Sequence, residues 1–145
     1  MKRYIRTSTR LGIDYSMFSG TPFKCSTGTP FGNRFLDEEE LAYQQKYEHR
    51  TGRIVMMSPE QYYEDCALYA FDHFVSINTL KNQRREDQDI NDELMELMQN
   101  GTKINMCYIN KADHGQEGLH RMMAAGDLYG WDTKFPVLVI DKYYE

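Results

Sequence analysis

A mixed α+β fold is what this sequence predicts: a small sheet flanked by helices in one domain, preceded by an irregular segment. Three observations carry that expectation. A chain of 145 residues has room for one compact core and not comfortably for two. Ile90, Leu94, Leu97 and Met98 recur at helical spacing while Asp92, Glu93 and Glu96 take the other face, the pattern of an amphipathic helix. Residues 135–140, by contrast, are a short continuous apolar run, which suits a strand buried on both faces.

The elements follow in order. Residues 1–35 are rich in Ser, Thr, Gly and Pro and show neither helical nor strand periodicity, yet they carry Tyr15, Phe18, Phe23 and Phe31. So many rings predict an irregular segment packed on the core rather than a solvated tail, with one short strand near residues 4–7. The remaining domain spans 36–145. Asp37 and Glu40 have the spacing of a capping box, predicting a helix over 38–48 that ends near Gly52. Residues 54–57 are an apolar run, either a strand or a buried lead-in. Ser58-Pro59 then starts a helix, because the proline's missing N–H would be an orphan at the first helical position; it runs to about residue 71. A short helix over 76–85 turns Ile77 and Leu80 inward and Lys81, Arg84 and Arg85 outward. The amphipathic helix stops at Asn100-Gly101. Residues 103–110 alternate as a strand, with Ile104, Met106 and Tyr108 on one face and Asn105 and Cys107 on the other.

Composition excludes several classes. With 41% hydrophobic and 27% charged residues, no segment approaches the ~20 apolar residues a membrane helix needs, so no membrane span is expected. The basic start, Met1-Lys2-Arg3, leads into polar sequence rather than the apolar stretch of a secretory signal, and a cytoplasmic location is expected. Cys25, Cys66 and Cys107 are widely spaced with no C-x-x-C pair, so buried thiols are expected rather than a zinc or redox motif. A net charge of −5 argues against a sequence-independent grip on nucleic acid, although local basic patches are compatible with it.

The chemistry concentrates between the last two strands. Asn110-Lys111-Ala112-Asp113-His114-Gly115-Gln116-Glu117-Gly118-Leu119-His120-Arg121 is a polar turn that becomes an alanine- and methionine-rich helix. Gly115 and Gly118 let the backbone turn sharply and approach a ligand closely. A helix N-terminus offers unpaired N–H groups and partial positive charge, so a phosphate there is stabilised by both. His120 and Arg121 oppose that dipole unless an anion bridges them. The same strand, turn and helix is also an ordinary connection in mixed folds, with His120 and Arg121 simply solvated.

These residues resemble a known family. Gly118-Leu119-His120-Arg121, then Ala124-Ala125, Gly130 and Phe135-Pro136-Val137-Leu138-Val139, are similar to the ParB/sulfiredoxin superfamily, in which a G-x-H-R or G-E-R-R box opens a helix leading through a glycine to a P-V-x-V strand. The likeness covers residues 76–140, including an Arg-bearing segment, Asn82-Gln83-Arg84-Arg85. It implies a small α/β domain binding a nucleoside triphosphate, CTP as in ParB partition proteins or ATP as in sulfiredoxins. By that likeness Gly118 allows the turn, His120 and Arg121 hold phosphates, and Arg84 or Arg85 fills the role of the first-box arginine. Leu119 stands where sulfiredoxins have a catalytic cysteine and ParB proteins a glutamate, so sulfinic acid reduction is not expected. The little sequence after the last strand leaves no room for the DNA reader and dimerisation tail of a full ParB clamp.

Three functions compete. The first is a minimal nucleotide-binding domain, hydrolysing or transferring a phosphoryl group with Mg²⁺, for which Glu117, Asp113 and Glu60 are the candidate acids and His114 the candidate base. The second is a ParB-like nuclease acting on DNA, with His114, Glu117, His120 and Arg121 supplying the residue types and Glu117 a metal ligand, although a spaced set of carboxylates is missing. The third is a non-catalytic interaction module of a phage or other mobile element, binding a protein partner through Tyr62, Tyr63, Tyr69, Phe71 and Phe74. At these spacings the same rings also pack a core.

Overall fold

The computed structural model describes residues 30–32, 50–111 and 114–143. Among them four helices pack with a four-stranded mixed sheet. The order is β1 (Arg50–Met57), α1 (Pro59–Tyr69), α2 (Ile77–Arg85), α3 (Gln88–Gln99), β2 (Cys107–Asn110), β3 (Gly115–Glu117), α4 (Leu119–Tyr129) and β4 (Phe135–Tyr143). The fold is α+β, as the sequence predicts. The strand near residues 4–7, the helix over 38–48 and Cys25 lie outside the described residues.

The sheet order is β1-β4-β2-β3, with β4 antiparallel to β1 and parallel to β2, and β3 antiparallel to β2. A central position explains why β4 is apolar from Phe135 to Ile140. Side chains alternate between faces, so Val137 and Val139 join Cys107 and Ile109 in the core shared with the helices. Tyr108, Leu138 and Ile140 fall on the opposite face and are buried as well.

Local chemistry sets the helix ends. Ser58 Oγ accepts the Gln61 N–H at 3.1 Å and Pro59 opens α1. Ser76 Oγ accepts the Thr79 N–H at 3.1 Å at the start of α2. At the end of α3 the Gly101 and Thr102 amides return to the Met98 and Leu97 carbonyls, closing the helix as Asn100-Gly101 predicts. Among the described residues no helix is long and apolar enough to cross a membrane.

Three expectations need correction. Ile90 and Leu97 were expected inward, yet they are 44% and 37% exposed. The buried positions of α3 are Asn91 and Met98, with Leu94 and Met95 half-buried, because α4 packs on a stripe rotated by one residue. The strand expected over 103–110 keeps only Cys107–Asn110. Its front half pairs elsewhere: the Ile104 N–H donates to the Pro30 carbonyl and the Ile104 carbonyl accepts from Gly32 N–H, a short parallel bridge. Phe31 is thereby fully buried and meets Phe135 edge-on at 5.5 Å. Finally, the polar stretch after Asn110 is no single turn but a hairpin, since β3 pairs back on β2.

Candidate phosphate-binding site

The hairpin decides where α4 begins. Tyr108 pairs with Glu117, so Gly118 comes back beside Cys107, at the start of β2. Ligands of open α/β sheets ordinarily lie beyond the carboxyl ends of the strands; this helix starts at the other end. Gly118 is the N-cap at φ +139°, and no side chain caps the turn. A Cβ there would fall 2.5 Å from the Cys107 Cβ and clash with its Sγ, so glycine is required twice over, by conformation and by contact. The Cys107 thiol donates to the Gly118 carbonyl at 3.5 Å. Burial pushes that thiol up to about 11 against the pull of Arg121.

The box residues part company after the glycine. Leu119 is 2% exposed in the core, so only its backbone could meet a ligand, and its carbonyl accepts the Tyr63 hydroxyl at 2.5 Å. His120 reaches away to Asp87, with Nε2 3.1 Å from Oδ2, at the residue preceding α3. Arg121 folds back instead, donating to the Glu117 carbonyl at 3.1 Å and the Met106 carbonyl at 3.5 Å. Its Nε is buried with no partner, and no carboxylate among the described residues pairs with it. Burial alone would lower the Arg121 pKa, but Cys107, Tyr62 and Glu117 together outweigh it and the net direction is up. The dipole conflict is thus relieved within the protein, by a carboxylate at His120 and by carbonyl oxygens at Arg121.

Arg84 and Arg85 have separate fates. Arg85 forms a bidentate pair with Asp127, to which Trp131 Nε1 also donates at 3.0 Å. Asp127 lies eight residues beyond Leu119 on α4, about 12 Å along the axis, so Arg85 is committed away from the first turn. Arg84 reaches this corner through its backbone. Its half-buried guanidinium touches Gln83 Oε1 at 3.3 Å, and its carbonyl accepts the Asp87 amide, next to the His120 pair. Its charge also opposes the upward push of burial on Tyr63, whose hydroxyl binds Leu119.

The candidate acids and bases do not gather. Asp113 lies outside the described residues. His114 is exposed at φ +57°, with Nδ1 3.3 Å from the Tyr69 carbonyl. Gly115 pairs with Asn110 inside β3. Glu117 ends β3 exposed, serving Arg121 through its backbone, and Glu60 is tied to Lys81 at 2.7 Å. Among the described residues no three of His, Cys, Asp and Glu come close enough to share a metal ion.

Sequence reasoning missed four residues that shape this corner: Tyr63, Asp87, Asn91 and Trp131. Asn91 is fully buried, donating to the Arg84 carbonyl at 3.1 Å and to Met123 Sδ at 3.5 Å, with Oδ1 unpaired. It heads a second stripe with Leu94, Met95 and Met98, a signal available in the spacing. Of the five rings weighed as a partner surface, Tyr62 and Tyr63 are core, while Tyr69 and Phe74 are exposed. No protein-family model, curated protein or solved structure matches the chain.

Proposed function

We propose that the first turn of α4 binds the phosphates of a nucleoside triphosphate, ATP or CTP. The observation that carries this reading is the Arg121 guanidinium, held behind an uncapped glycine-started turn with a buried, unpaired Nε and no carboxylate partner among the described residues. One N–H of this cation is left without an acceptor, and a phosphate oxygen would supply one. The backbone amides of the turn and the helix dipole act in the same sense. His120 contributes by exchanging the Asp87 carboxylate for a phosphate oxygen, and Arg84 adds charge from the adjoining corner. Binding rather than phosphoryl transfer or DNA cleavage is the supported reading, because the described acids and bases are dispersed.

Calorimetry with ATP and CTP, with and without Mg²⁺, tests it. Loss of one charge-assisted contact costs about 1.5–3 kcal/mol, so His120→Ala and Arg84→Ala are each expected to weaken binding by about tenfold or more. Asp87→Asn is expected to tighten it, since a competing anion is removed. Affinity unchanged in all three variants would overturn the assignment.

A further inference from the structure

One side of α2 borders a cleft of about 370 Å³ that the phosphate reading leaves unused. The rings of Phe71, His73 and Phe74 line it together with Val75, Leu80 and Gln83. Phe74 is 89% exposed, far more than any other large apolar side chain described. Ser76 Oγ donates to Thr79 Oγ1 at 2.9 Å, and the Gln83 amide adds a further polar edge. Gln83 also links the cleft to the candidate phosphate corner, because its Oε1 accepts from Arg84.

We infer that this cleft seats the base of the nucleotide, an inference that rests on the phosphate reading above. The volume lies at the small end of the ~300–1,000 Å³ range of ligand sites, suiting a planar heterocycle rather than a folded peptide. Exposed rings offer any base a stacking face, and the Gln83 amide offers its edge both a donor and an acceptor. Gln83, which lines the cleft and accepts from Arg84, lies four residues before Asp87, which holds His120.

The test compares ATP and CTP with inorganic tripolyphosphate by calorimetry on the full chain. Phe74→Ala removes an exposed ring and is expected to fold, which circular dichroism checks. It should weaken the nucleotides about tenfold and leave tripolyphosphate unchanged, whereas His120→Ala should weaken both ligand types. Ring resonances of Phe71 and Phe74 should shift on adding adenosine or cytidine alone. If Phe74→Ala and Phe71→Ala bind nucleotide as the parent does while tripolyphosphate still binds, the base site is wrong and the phosphate site stands. An equal loss for nucleotide and tripolyphosphate also overturns the base site. If the parent binds neither, both readings fall.

Discussion

At Gly118 a single methyl group has the largest expected effect of any change at the candidate site. Its φ of +139° disfavours every side chain, and Cys107 fills the space a Cβ would need. Gly118→Ala is therefore expected to cost roughly 2 kcal/mol or more, read as a lower denaturation midpoint with an unchanged slope. The neighbouring thiol gives a second test at this scale. Burial raises Cys107 to about 11, above its ordinary value of 9.0, so almost no thiolate forms at pH 8 in the folded chain. Cys107 should resist iodoacetamide at that pH and be labelled once urea unfolds the protein, as peptide mass mapping would show. The glycine was legible in the sequence as a turn residue. Its contact with Cys107 was not, because eleven intervening residues had to be folded into a hairpin first.

The helices are held by caps and by side-chain links between elements. Ser58 accepts an amide at the start of α1, and Ser58→Ala is expected to cost about 1 kcal/mol in thermal or chemical denaturation. The link between α2 and α4 is the Arg85–Asp127 pair, seconded by Trp131. The Arg85 hydrogen bond above all holds the Asp127 carboxyl below its ordinary 3.8. A depressed folded pKa means stability that is complete above pH 3.8 and lost as pH falls through the lower folded value. Asp127→Asn should thus destabilise at neutral pH, by about 0.5–1 kcal/mol for a pair partly open to solvent. The difference from the parent should vanish in acid well below pH 3.8. Caps such as Ser58-Pro59 and Asn100-Gly101 are readable because each is completed within a few residues. The inward face of α3 is not, since Ile90–Leu94–Leu97 and Asn91–Leu94–Met98 are both helical stripes and only α4 chooses between them.

Across the whole molecule, residues 30–32 enter the core through Phe31, which is fully buried against Phe135 while Pro30 and Gly32 bracket Ile104. Phe31→Ala is expected to cost about 3–5 kcal/mol, measured by denaturant unfolding, a loss that no detachable tail would produce. Of the rings the sequence singles out in residues 1–35, Phe31 lies among the described residues, and its partner depended on long-range pairing. The sequence by itself determined the α+β class, the helix start at Ser58-Pro59 and the stop at Asn100-Gly101, and the apolar strand that becomes the centre of the sheet, because these follow from periodicity and from bonds between near neighbours. Only the tertiary structure decided that Glu117 pairs with Tyr108, that His120 turns to Asp87 and Arg121 to backbone oxygens, and that Arg85 pairs with Asp127. Those outcomes join residues far apart in the chain, and strand register and helix packing, rather than local preference, set them.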